Sequence, residues 1–170
     1  MAIAETFAPP IIDAFVTCAR STNKSVTIIA PFITTFGIKS LVRSLPRKNL
    51  DIRICSRFNL QTYKQRSSDY AALEILSEWE NQWNITYYRL PQLHAKIFAF
   101  DEMCVVSSAN LTQGGLRINY EFGIVIPDMN SVSDLFSEIE KIIAKAKPVS
   151  LREIAEYAEK AGITPPIDES

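Results

Sequence analysis

The apolar patterning of this chain predicts an α/β fold, in which a mixed sheet is flanked by helices as an α/β/α sandwich. Three observations carry that expectation. β-branched runs alternate with amphipathic stretches of helical period through the first half of the sequence, four short strand-like runs follow one another, and two helical stretches close the chain.

The elements follow in order. Ile11, Ile12, Phe15, Val16 and Ala19 share one helical face after Pro10, which predicts a helix over residues 11–22. Residues 25–30, Ser-Val-Thr-Ile-Ile-Ala, are β-branched and stopped by Pro31, the pattern of a buried strand. Helical spacing returns over residues 36–45 through Ile38, Leu41, Val42 and Leu45, and Pro46 ends it. Residues 50–56 form a second strand. Across residues 68–83, Tyr70, Leu73, Ile75, Leu76, Trp79 and Trp83 suit a helix with Glu74, Glu78 and Glu80 outward. Four strands are then expected at residues 85–89, 94–100, 103–107 and 120–126, with turns at Pro91, Asp101-Glu102 and Gly114-Gly115. A helix over residues 133–147 stops at Pro148, and a shorter one spans residues 151–160, before Gly162 and Pro165-Pro166.

At 170 residues, 47% hydrophobic and 22% charged, the sequence fits one domain, residues 1–170, with residues 151–170 as closing helix and tail. A chain of this size buries roughly 68–70% of its unfolded surface and needs no disulfide or structural metal to hold a core. No apolar run approaches the ~20 residues of a membrane span. The first 22 residues lack a basic segment leading into an apolar one, and Cys18, Cys55 and Cys104 form no C-x-x-C pair, so a cytoplasmic chain with buried thiols is expected. One histidine and no close Cys/His cluster argue against a metal centre, and neither metal nor cofactor is expected.

The net charge of −1 hides an asymmetry. Residues 39–66 hold eight basic side chains (Lys39, Arg43, Arg47, Lys48, Arg53, Arg57, Lys64, Arg66) against Asp51 alone, whereas residues 151–170 hold five acids and two bases. The basic segment is either a phosphate-binding surface or a solvated face.

Chemistry concentrates in residues 93–123. His94 and Lys96 lie two apart on a predicted strand and share a face, as do Ser108 and Asn110, and Asn119 and Glu121. Six polar side chains at period two on buried-looking strands are costly unless they bond one another or a ligand. Asp101 ends the first of these strands, where it also suits a hairpin turn. Glu121 fits an inward structural role as well as a chemical one.

Here the sequence resembles the phospholipase D-like superfamily. His94, Lys96 and Asp101 match its H-x-K-x-x-x-x-D signature without a gap. Ser107-Ser108-Ala109-Asn110 matches the following G-S-x-x-N, with Ser107 in place of glycine, and Asn119-Tyr120-Glu121 resembles the extension of bacterial nuclease-like members. The resemblance implies a metal-independent phosphodiesterase. Two motif copies would form one site, one histidine attacking phosphorus to give a phosphohistidine while the other protonates the leaving oxygen. Lys96 and Asn110 would hold the non-bridging oxygens, Glu121 would accept a hydrogen bond from the His94 ring, Ser108 would steady a phosphate oxygen or the histidine, and Asp101 would orient its surroundings. A chain with one histidine then needs a partner, so a homodimer with the site on its two-fold axis is expected. Arg57, just past the second strand, with Lys64 and Arg66, is expected to bind substrate. The favoured substrate is DNA, cut by an endonuclease. The alternatives are a phospholipase or phosphatidyl-transfer enzyme, for which no membrane-docking element is evident and no stable membrane association is expected, and a nucleic-acid-binding module that has lost turnover.

Overall fold

The β-branched run that follows the first helix lies in the middle of the sheet and is buried on both faces. In the computed structural model, which describes residues 5–7 and 11–163, it forms β2 (Ser25–Ile29), with Val26, Thr27, Ile28 and Ile29 all buried. Parallel to it lie β3 (Asp51–Ser56) and then β4 (Asn84–Arg89), each reached by a helical crossover, α2 (Thr35–Ser44) to β3 and α3 (Leu60–Lys64) with α4 (Ala71–Ser77) to β4. On the other side β5 (Ile97–Phe100), β6 (Met103–Ser107), β7 (Gly123–Ile126) and β1 (Glu5–Phe7) follow antiparallel, and β8 (Lys147–Val149) closes the far edge against β4. The result is one eight-stranded sheet in the order β1-β7-β6-β5-β2-β3-β4-β8.

The two faces are covered unequally. Val26, Ile28, Ile52, Ile54, Phe98, Phe100 and Val105 point into the larger core, which receives Phe15 of α1 (Ile12–Arg20), Ile38 and Leu41 of α2, Leu73 and Leu76 of α4, and Ile154 and Ala158 of α6 (Leu151–Lys160). Phe15 meets the rings of Phe98 and Phe100 edge-on at 5.3 and 5.5 Å. The opposite face, with Ile29, Cys55, Ala99 and Cys104, is covered by one helix, α5 (Leu135–Lys145), through Ile139 and Ile143. The α/β architecture with helices on both faces is the one the sequence predicts. Pro46 does end α2, and Ser150 with Glu153 builds a capping box that starts α6.

Several boundaries differ. The helix expected over residues 68–83 is α4 alone; beyond it the chain turns through i−3 bonds such as Trp79 N–H to Leu76 O at 3.1 Å. Tertiary packing takes over there. Trp79 and Trp83, four residues apart, stack at 4.9 Å, and the Arg47 guanidinium lies 3.9 Å from the centre of the Trp79 ring. The expected strand over 94–100 begins only at Ile97, and that over 120–126 begins only at Gly123. Gly114-Gly115 opens a π-helical turn, Gly114–Ile118, and does not form a simple loop. The helix expected over 133–147 is shorter at both ends. Asp134 at φ 63° precedes its start, and Pro148 sits in β8, an edge strand where its missing N–H costs no ladder bond. Residues 164–170, with the Pro165-Pro166 pair, and most of the first ten lie outside the described residues.

Candidate active site

The topology brings five chain segments to one edge of the sheet. β2 and β3 end there, β5 begins there because it runs antiparallel to β2 with Ile29 opposite Ile97, and β6 ends and β7 begins there with Ser107 opposite Gly123. His94 and Lys96 therefore lie on the irregular segment entering β5, Ser108 and Asn110 on the segment leaving β6, and Asn119 and Glu121 on the segment entering β7. The side chains expected to act together do gather on this edge. They stand just beyond the hydrogen-bonded ladder and not on it.

His94 is exposed, and its neighbour Leu93 is buried. The Leu93 carbonyl accepts the Nε–H of Arg57 at 2.7 Å, which ties the His94 segment to the end of β3. The Lys96 ammonium donates to the His94 carbonyl at 2.8 Å. Partial burial, then the nearby Arg57 charge, push the Lys96 ammonium below its ordinary pKa, with Glu121 opposing. Two cations and one carboxylate thus share the edge. His94, Ala95, Lys96, Ile97, Val106, Ser107 and Ser108 line a shallow depression of about 450 Å³ beside it.

Ser108 and Glu121 are joined directly. The Ser108 hydroxyl donates to Glu121 Oε2 and accepts the Phe122 N–H at 3.1 Å, while Asn119 Nδ2 donates to Glu121 Oε1 at 3.3 Å. Within one chain no hydrogen bond joins Glu121 to His94; its carboxylate is held by Ser108 and Asn119. Asn110 is fixed from behind. Its Oδ1 accepts the Phe32 N–H at 3.3 Å, leaving its amide hydrogens outward, and the next residue, Leu111, bridges to Ile33.

Two glycines make that placement possible. A Cβ on Gly115 would stand 2.4 Å from the Asn110 carbonyl oxygen and 2.7 Å from its nitrogen; one on Gly37 would stand 2.1 Å from the Leu111 carbonyl oxygen. Gly115 is therefore more than a turn former, because only a residue without a side chain lets the π-helical turn press on the Asn110 backbone. Sequence reading places Gly115 in a turn and does not reach this contact, which is long-range for Gly37. The single signal within reach was the Gly-Gly pair four residues beyond Asn110.

Asp101, expected to orient the surroundings of His94, does not join this group. It lies at the other end of β5, where Phe100 pairs with Val26, and at φ 52° its carboxylate accepts the N–H groups of Asn23, Lys24 and Ser25 at 2.6, 2.8 and 2.9 Å. It anchors the entry to β2, at the opposite end of the strands from His94, and has no part in orienting His94. The basic segment is also dispersed by the fold. Arg53 forks onto Glu140 of α5 at 3.0 and 2.6 Å, Arg47 covers Trp79, and Lys48 bonds Asn23 at the edge away from His94. Arg57 reaches the His94 segment, whereas Lys64 and Arg66, on and just after α3, are exposed and make no hydrogen bond to it. Among the described residues no three His, Cys, Asp or Glu side chains come together as ion ligands.

Flanking Glu121 stands an apolar surface that the sequence reading missed. Ile118, Tyr120 and Phe122 are 69, 94 and 61% exposed, and their period-two spacing around Asn119 and Glu121 is its sequence signal.

Known proteins share this framework. No curated protein matches the chain. Among solved structures, the phospholipase D family member Nuc from Salmonella typhimurium superposes with a TM-score of 0.63 at 18% identity, over 86% of this chain and 97% of its own. NucT from Helicobacter pylori gives 0.62 at 15% identity, over 86% and 99%. A phosphatidylserine synthase from Haemophilus influenzae Rd KW20 gives 0.61 at 16% identity, over 93% of this chain but 43% of its own. The family model described as cardiolipin synthase, PLD-like domain, matches residues 15–144, from within α1 to within α5 and across the whole His94 edge, and the chain belongs to that phospholipase D-like family.

Proposed function

We propose that the protein is a metal-independent phosphodiesterase, a DNA endonuclease that works through a covalent phosphohistidine in a homodimer. The observation that supports it most directly is the gathering of His94, Lys96, Asn110, Ser108 and Glu121 on one sheet edge from three separate segments. In this reading a His94 ring nitrogen attacks phosphorus. The P–N bond forms as the P–O bond breaks, and the departing oxygen takes a proton from the second histidine. Water then gives that histidine its proton and attacks phosphorus, releasing His94. Lys96 and the outward amide of Asn110 hold the non-bridging oxygens as negative charge grows on them.

Since one chain has one histidine, the second comes from a second copy. The apolar Ile118, Tyr120 and Phe122 beside the site supply a surface for that copy to cover. Glu121, bonded in its own chain to Ser108 and Asn119, is left to orient the histidine across the two-fold. DNA is favoured over a lipid because the cations here are spread out: half-buried Arg57, with exposed Lys64 and Arg66 beyond it, suits phosphates along a backbone. The apolar surface also fits a lipid-headgroup enzyme, although among the described residues no helix is long and apolar enough to cross a membrane.

Incubation of the protein with plasmid and single-stranded DNA in excess chelator tests this. Cleavage that His94→Ala abolishes, a phosphohistidine trapped on rapid alkaline denaturing quench and lost on acid treatment, and a dimer mass in solution are expected. Cleavage unchanged in His94→Ala refutes the mechanism, and hydrolysis of phosphatidyl substrates in vesicles without DNA cleavage reverses the choice of substrate.

A further inference from the structure

Two arginines at neighbouring strand ends are built alike. Arg57, just past β3, donates its Nε–H to the Leu93 carbonyl at 2.7 Å and holds its guanidinium 5.1 Å from the Phe32 ring. Arg89, the last residue of β4, donates its Nε–H to the Phe58 carbonyl at 3.0 Å and lies 4.8 Å over the Tyr157 ring. β3 and β4 are parallel with Ser56 opposite Arg89, so both groups face the His94 edge. In each the single Nε donor is spent on the backbone and the ring fixes the plane, which leaves the four terminal N–H donors as a pre-set fork for an anion.

The link between them is strained. Phe58 is 4% exposed and held at φ 39°, a region that a bulky residue seldom adopts, and it is the residue whose carbonyl receives Arg89. Arg89 opens onto a cleft of about 120 Å³ that also holds Lys147 and Lys160, with Glu153 and Glu156. Glu153 is committed to the Ser150 cap and lies 3.5 Å from Lys147.

We propose that Arg89 is a second phosphate-gripping residue, and that the substrate strand leaves His94 across the ends of β2, β3 and β4, past Arg57, to Arg89 and the lysines of this cleft. The inference rests on the phosphodiesterase reading and adds its substrate path. Three strand spacings separate β5 from β4, about 14 Å, or roughly four nucleotides at 3.4 Å of rise each. Arg89 therefore serves oligonucleotides and is out of reach of a small diester.

The experiment compares kcat/KM for oligonucleotides of three to twelve nucleotides with that for bis(4-nitrophenyl) phosphate, and measures oligonucleotide binding by anisotropy against salt. The wild-type ratio should rise with length past four nucleotides on one side of the cut. Arg89→Gln should remove that rise, lower the long-substrate ratio roughly ten- to hundredfold, and reduce the slope of log K against log salt by about one per lost contact. A merely structural Arg89 would not move the salt slope. If Arg89→Gln fails to fold, the exposed pair Lys147→Gln with Lys160→Gln is read the same way. Unchanged slope and length dependence in the folded variant overturn the path. If the wild type cleaves neither substrate, the phosphodiesterase reading fails, and the salt slopes of wild type and variant still decide whether Arg89 grips phosphate.

Discussion

Gly115→Ala puts the placement of Asn110 to a direct test. The added Cβ would lie 2.4 Å from the Asn110 carbonyl oxygen, 2.7 Å from its nitrogen and 3.2 Å from its carbonyl carbon, all backbone atoms that no rotamer change can move aside. Reaching an ordinary contact of ~3.4 Å requires about 1 Å of displacement, either of the π-helical turn or of the Asn110 backbone. Overpacking of this kind costs about 1–3 kcal/mol, which for a chain of this size lowers Tm by roughly 2–12 °C. Misplacement of a positioning amide by ~1 Å costs about a hundredfold in rate. Gly114→Ala is the internal control. Its Cβ would meet only the Asn119 side chain, at 3.4 Å and beyond, so neither Tm nor rate should change by comparable amounts.

The assay is hydrolysis of bis(4-nitrophenyl) phosphate in chelator, with Tm from circular dichroism on the same samples. Adjacent glycines with opposite outcomes are expected: a folded but slow Gly115→Ala and a near-normal Gly114→Ala. Wild-type kcat and Tm in Gly115→Ala would refute the reasoning, as would equal losses in both.

Three further outcomes follow from the same structure. Asp101→Ala removes the acceptor for three backbone N–H groups and should cost about 1–3 kcal/mol of stability without altering kcat, read by urea denaturation and diester hydrolysis. The fork from Arg53 holds the Glu140 carboxyl below its ordinary pKa, so its stabilisation is complete above the unfolded carboxylate's pKa and is lost as pH falls through the folded one. Glu140→Gln should then cost about 1 kcal/mol at neutral pH, and the gap from wild type should close below about pH 4. Burial lifts the thiols of Cys55 and Cys104 to about 12 and that of Cys18 above its usual value, so a disulfide reagent should modify none of the three in the native protein and all three in denaturant.

What the sequence made legible was whatever depends on burial. β2 was readable because four consecutive residues of it are buried and mostly β-branched, β3 and β4 because β-branched and aromatic residues recur within them, and α2 because Pro46 stops it. β1 and β8 were not: each has three residues, too few to show a period, and they exist because an edge strand was available to pair with. The same limit explains the site. Period-two spacing at His94/Lys96 and Asn119/Glu121 read as strand, yet both pairs sit where the ladder has ended, since a side chain that must reach a ligand is better placed on the segment entering a strand than within a buried one. The residues that hold these segments in place, Phe32 of the β2–α2 connection, Gly37 in the first turn of α2 and Arg57 of the β3–α3 connection, have nothing local in the sequence that couples them to Asn110 or His94.

The position of Asp101 sharpens what a contiguous motif means. From His94 to Asp101 the chain runs the full length of β5, so its two ends necessarily stand at opposite ends of the strands. The spacing between Lys96 and Asp101 is the four residues of the strand itself, Ile97 to Phe100, and it fixes the register that sets Ile97 against Ile29. With three N–H groups from the Asn23–Ser25 segment closed on it, Asp101 pins the end of β5 to the start of β2, while the buried pairs along the two strands carry the register on to His94 and Lys96. A slip of one residue would turn Phe98 and Phe100 out of the core that holds Phe15 and rotate the Lys96 ammonium to the other face. The fixed spacing from Lys96 to Asp101 thus joins chemistry at one end of β5 to a stabilising clamp at the other, with the register between them held by the buried side chains of the strand.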